Sequence, residues 1–128
     1  MNIVKCKTFY AEAVVGLHCE YQNKLIPIEI FKRKVFQIQK ELKDLGLLMS
    51  VKLSACEILF LGQDEPSITL EFINYPKFPI VEIDWKLGVI RFIETLMVEL
   101  EQNRVVIVFH DETIMLEQSD IIDPKINI

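Results

Sequence analysis

Between Pro27 and Gly46 the apolar residues Ile28, Phe31, Val35, Ile38, Leu42 and Leu45 recur at alternating spacings of three and four. At about 100° per residue they share one face of a helix. Glu29, Arg33, Gln37, Lys40 and Asp44 fill the opposite face, and Glu29–Arg33 and Lys40–Asp44 are spaced for i, i+4 pairing. Pro27 suits the first helical position, and Gly46 suits a left-handed C-terminal cap. The heptad-like spacing spans fewer than three heptads, so the helix reads as the amphipathic cover of a sheet and not as a coiled coil.

Strand patterns flank this helix. Residues 2–10 alternate Val4, Cys6 and Thr8 against Lys5 and Lys7, as in an edge strand. Residues 12–21 form a second strand pattern with Val15, Leu17, Cys19 and Tyr21 inward, and Gln22-Asn23-Lys24 reads as a turn. Residues 51–62 and Ser67–Tyr75 read as a hairpin about a turn at Gln63–Pro66. Pro76 and Pro79 make residues 74–79 an extended crossover, leading to a short strand at 80–83 or directly to a helix. In Trp85–Gln102 seven apolar residues from Val89 to Leu100 occupy an arc of about 160°, predicting a more buried helix. Val105–Phe109, uninterrupted β-branched and aromatic, reads as a central strand covered on both faces, His110-Asp111-Glu112 as a turn, and Thr113–Gln118 as a last strand. The order ββα, ββ(β)α, ββ predicts one α+β domain over 1–128 with a mainly antiparallel sheet. Residues 119–128 read as a tail docked through Ile121 and Ile122.

Composition narrows the function classes. The four glycines, at 16, 46, 62 and 88, are isolated, which excludes Gly-rich phosphate loops. Apolar runs are too short to span a bilayer, and the N-terminal residues lack a signal-peptide pattern. Three separated cysteines, Cys6, Cys19 and Cys56, fit a reducing cytoplasm better than a disulfide scaffold. The net charge of −5 disfavours general nucleic-acid binding. It conceals a basic first half, with eight Lys/Arg against five Asp/Glu in residues 1–50, and an acidic remainder, with six against fourteen. That remainder suits steering of a basic partner.

The chemistry-bearing residues do not assemble a catalytic motif in sequence. On a strand, His18 and Glu20 face one way and Cys19 the other, so the three cannot converge on one metal ion. Neither a metal site nor a cofactor is expected. His110-Asp111-Glu112 fits a polar turn, and the acid/base alternative would make the protein a small enzyme using His110. Phe36 falls about 130° from the centre of its helix's apolar stripe, as an aromatic either covered by another element or open to a partner. Asp64, Glu65, Asp111 and Glu112 sit at predicted hairpin turns, and Glu82 and Asp84 flank the crossover beside Tyr75, Phe78 and Trp85. Carboxylates beside aromatics make a candidate partner surface.

In size, acidity and lack of catalytic motifs the chain resembles bacterial toxin-immunity proteins, including those of contact-dependent growth-inhibition systems. The resemblance implies a cytoplasmic, non-enzymatic antitoxin, a monomer or weak homodimer. It would occlude a basic toxin, such as a nuclease, with carboxylates that mimic phosphate and aromatics that anchor. The alternative is a secretion chaperone or assembly subunit that holds a client through a dimer or a sheet edge.

Overall fold

The computed structural model describes residues 1–21 and 24–128. The first strand, β1 (Tyr10–Gly16), precedes a short 3-10 turn at Cys19–Tyr21 and the helix α1 (Ile28–Asp44). Strands β2 (Lys52–Phe60) and β3 (Gln63–Ile73) follow, then helix α2 (Glu82–Glu99), β4 (Arg104–Phe109) and β5 (Thr113–Glu117). The strands make one sheet in the order β2-β3-β1-β4-β5. Every neighbouring pair is antiparallel. This is the expected α+β architecture with two helices packed on an antiparallel sheet. The segments at 2–10 and 12–21 contribute one strand between them, centred in the sheet. Its small inward residues Ala11, Ala13 and Val15 leave room for both helices.

Local sequence explains most element ends. Phe31, Val35, Ile38 and Leu42 bury the predicted stripe of α1. At its C-terminus Gly46 has φ +81, Leu47 N donates to Leu42 O at 2.9 Å, and Gly46 N donates to Lys43 O at 2.9 Å. That is the paired cap that a left-handed glycine permits. Helix α2 buries Trp85, Val89, Phe92, Ile93, Leu96 and Met97, and starts directly from the crossover without a strand at 80–83.

The β2–β3 hairpin differs from its prediction. Its turn is Leu61-Gly62, with φ 45 and 98, as a two-residue hairpin loop requires. Residues 63–66 therefore belong to β3. Pro66 is tolerated there because it lies one residue beyond the last β1 pair, Gly16–Ser67: its carbonyl still accepts Leu17 N at 2.9 Å, and the Leu17 carbonyl takes its donor from Ile26 N instead. Asp64 and Glu65 thus alternate across a strand and do not cap a hairpin.

One hydrophobic core joins both helices to the inward residues of β1, β3 and β4. The tail is anchored differently from expectation. Ile121 and Ile122 are exposed, whereas Asp123 is buried, and Asn127 N donates to Leu61 O at 2.6 Å. The predicted turn at 22–24 falls largely outside the described residues.

Candidate functional site

The sheet face away from the helices carries Glu12, Val14 and Gly16 of β1, with Gln63, Glu65 and Ser67 of β3 beside them. Strand alternation places them there, because Ala11, Ala13 and Val15 face the core. The tip of the β2–β3 hairpin and residues 123–126 border this face and leave a cavity of about 490 Å3. Its size is within the range of small-molecule sites.

The cavity has an apolar wall and a carboxylate side. Val14, Ile58, Phe60, Val106, Val108 and Ile126 supply the apolar wall. Glu12, Glu65 and Asp123 supply the carboxylates. Glu65 is half-buried, and burial, then the nearby Asp123 carboxylate, push its pKa above the usual 4.5, with Lys125 acting the other way. Gln63 Nε2 donates to Glu65 Oε2 at 3.2 Å and to Asp123 Oδ2 at 3.0 Å. Glu12 accepts the Tyr10 hydroxyl at 3.1 Å. The Tyr10 phenol is raised by burial first and then by Glu12.

The amide and guanidinium donors of the lining are largely engaged with protein acceptors. Gln102 Nε2 donates to His18 O at 2.8 Å, and Asn103 Nδ2 to Ile121 O at 3.1 Å. Arg104 holds Glu117 at 2.6 Å and also reaches Ser119 O at 3.3 Å. Carboxylate oxygens therefore dominate what the cavity offers a ligand, together with the flat apolar wall. Such a site accepts hydrogen-bond donors and positive charge and repels phosphate.

The residues singled out from sequence do not share a face. Glu65 lies in the cavity, while Asp64, on the opposite side of β3, is exposed. Glu82, Asp111 and Glu112 gather at the other end of the sheet around Lys86, whose Nζ is 2.8 Å from Asp111 Oδ1, 3.5 Å from Glu112 and 4.0 Å from Glu82. The length of β1 separates the two groups, since Tyr10 N meets His110 Nδ1 at 3.2 Å while Gly16 adjoins Glu65. The Lys86 hydrogen bond holds the Asp111 carboxyl below its usual value, and the same bond raises Lys86. Glu82, His110 and Asp111 bring possible ligand atoms within 4.8 Å of one another, and the Lys86 ammonium supplies positive charge there.

The aromatic candidates also separate. Trp85 is 0% exposed and donates its Nε1 proton to Ile73 O at 3.0 Å, so it closes the core and presents no anchor. Tyr75 and Phe78 are exposed with ring centroids 6.0 Å apart, and Asp84 is exposed one residue before Trp85. Phe36 is 69% exposed, so no other element covers it. Sequence reasoning missed Glu12, Gln63 and Asp123 as site residues. Gly16 within a strand pattern was the one local signal of a close approach.

No family model matches the chain, and no curated protein does. Two solved structures match in fold. A phage SAM lyase in complex with S-methyl-5'-thioadenosine has a TM-score of 0.74 at 17% identity, with 91% of this chain and 95% of that chain covered. A phage SAM lyase in the apo state has a TM-score of 0.68 at 19% identity, with 85% of this chain and 88% of that chain covered. These neighbours are enzymes, and they overturn the expectation of a non-enzymatic immunity protein or antitoxin, together with the chaperone alternative. Among the described residues no helix is long and apolar enough to cross a membrane. In fold, this chain is similar to the phage SAM lyase over nearly its whole length.

Proposed function

We propose that the cavity on the open sheet face binds S-adenosylmethionine and that the chain cleaves it as a lyase. The observation that carries this reading is the half-buried carboxyl of Glu65 beside an apolar wall, in a fold like that of the phage SAM lyase. S-adenosylmethionine combines a flat base, ribose hydroxyls and a sulfonium cation. The wall of Val14, Val106, Val108 and Phe60 suits the base and the thioether, and the carboxylates suit the hydroxyl donors and the cation. A phosphorylated nucleotide meets acidic groups and an arginine already paired to Glu117.

S-methyl-5'-thioadenosine is S-adenosylmethionine without its aminobutyryl chain. Producing it breaks the bond between sulfur and the γ-carbon of that chain: sulfur keeps the bonding pair and becomes a neutral thioether, while the substrate's own carboxylate oxygen bonds the γ-carbon and closes a lactone, so that no water is consumed. Glu65, Asp123 and Glu12 orient the sulfonium and ribose, and the apolar wall limits water at the breaking bond. Incubation of the purified chain with S-adenosylmethionine, followed by mass spectrometry, tests this directly. The expected products are S-methyl-5'-thioadenosine and an aminobutyryl fragment with no water added. A fragment carrying one added water would make the reaction a hydrolysis. Neither binding nor consumption of S-adenosylmethionine would overturn the proposal.

A further inference from the structure

Gly16 ends β1 without a positive φ, unlike Gly46 and Gly62, so its backbone does not call for glycine. Glycine in a strand costs conformational entropy and contributes no side-chain packing. The reason for it lies on the cavity side. A Cβ at Gly16 would overlap Glu65 Oε1 and stand 2.6 Å from Glu65 Cδ, with Gln102 Oε1 at 3.1 Å. The Glu65 carboxyl occupies the space that a side chain at position 16 would fill. Strand register brings this about, because Gly16 pairs with Ser67 and Glu65 lies two residues away on the same face. Gln63 holds the other oxygen of the carboxylate at 3.2 Å.

We propose that Gly16 is the positioning residue that seats the Glu65 carboxyl in the cavity, and that this seating makes the site prefer a cationic adenosyl sulfonium to a neutral thioether. The inference rests on the S-adenosylmethionine reading of the cavity and adds to it the residue that sets charge preference. Asp123 and Glu12 have anchors of other kinds, the Gln63 amide with the Lys125 N–H for one and the Tyr10 hydroxyl for the other. A methyl group at position 16 meets the far end of a flexible side chain, so the carboxyl yields before the strand does. The variant therefore displaces the charge while the sheet stays paired.

The test compares the wild type with Gly16→Ala, Glu65→Asp and the double variant. Three readouts are taken: the Glu65 carboxyl titration by NMR, calorimetric binding of S-adenosylmethionine and of S-methyl-5'-thioadenosine, and the melting temperature. In Gly16→Ala the Glu65 titration midpoint moves toward 4.5 as the carboxyl turns to water. S-adenosylmethionine affinity falls by about tenfold or more, the loss expected for one charge-assisted contact, while thioether affinity stays nearly level. In the double variant, the carboxylate shortened by one methylene fits beside the new methyl and recovers sulfonium affinity relative to Gly16→Ala. An unchanged Glu65 titration in a folded Gly16→Ala chain would overturn the seating. Equal weakening of both ligands would overturn the charge preference and leave Gly16 as a shape determinant only. A wild type that binds neither ligand would overturn the ligand assignment and the reading beneath it, while the titration would still decide the seating. Should Gly16→Ala fail to fold even with Asp at position 65, the niche is needed by the backbone and the proposal is overturned.

Discussion

Glu65 and Asp123 face each other across one amide: Gln63 Nε2 stands 3.2 Å from the first carboxylate and 3.0 Å from the second. Burial first, and then the Asp123 carboxylate, raise the cost of ionising Glu65. The arrangement ties the tail to β3 and charges the cavity at the same time. Stability given up at a binding site is a recurrent cost of function.

Glu65→Gln is expected to remove S-adenosylmethionine cleavage and to stabilise the fold at neutral pH. The sign follows from the raised pKa: the folded chain holds this proton more tightly than the unfolded chain does. Stability is therefore lost as pH rises from the ordinary carboxyl value of 4.5 through the folded value. The stability gain of Glu65→Gln should be present at pH 7, should shrink as pH falls through the raised folded value, and should be gone below 4.5. Thermal melts of both proteins across pH 3 to about 8 check it.

Asp123→Ala should loosen the tail and relax Glu65 together. The buried carboxylate accepts Gln63 Nε2 at 3.0 Å and the Lys125 backbone N–H at 2.9 Å, and removing it takes away both hydrogen bonds at a cost of about 1–3 kcal/mol. Hydrogen exchange at residues 123–127 should speed up, and the Glu65 titration should move down toward its ordinary value. Unchanged exchange at Asn127, whose N–H donates to Leu61 O, would count against the anchoring role of Asp123.

Trp85 and Phe36 should respond in opposite ways to truncation. Trp85→Ala empties the centre of the core and is expected to cost about 3–5 kcal/mol in a denaturation curve followed by circular dichroism. Phe36→Ser, at an exposed position, should change stability by no more than about 0.5 kcal/mol.

Lys86→Met is expected to leave S-adenosylmethionine cleavage intact, because Lys86 lies at the far end of the sheet from Glu65. The Asp111 titration should rise toward its ordinary 3.8 once the hydrogen bond from Lys86 is gone. In the wild type the lowered Asp111 pKa adds stability above that value and loses it as pH falls through the folded one. An acid unfolding midpoint that is unchanged in the variant would show the pair to be energetically silent.

Periodicity alone placed α1, and α2 to within a few residues, because an amphipathic helix writes its buried face into local spacing. The strands at 52–60, 104–109 and 113–117 were legible too, the second from its uninterrupted β-branched and aromatic run, although Val106 and Val108 are exposed on the face where cover was expected. Two local signals misled. Residues 2–9 alternate but pair with no strand, and Pro66 reads as a turn although it lies in β3, paired with Glu57 of β2 and accepting the Leu17 N–H just beyond the end of β1. Of the site, sequence singled out Glu65, but as half of an exposed acidic turn with Asp64. Its burial depends on Gly16, whose sequence distance from it gives no hint of contact.

What the amino-acid sequence determined by itself was the set of elements, the class of fold and the absence of glycine-rich phosphate loops. These follow from neighbours within a few positions along the chain. Only the tertiary structure decided which carboxylates share a cavity, because the pairing of Gly16 with Ser67 and the return of Asp123 to the β2–β3 hairpin join residues distant in sequence. Burial then changed the chemistry: half-buried beside a second carboxylate, Glu65 has a raised pKa. Asp64, adjacent in sequence, points the other way and stays in water. A strand's twofold alternation puts these adjacent acids on opposite faces, and the cavity lies on only one of them.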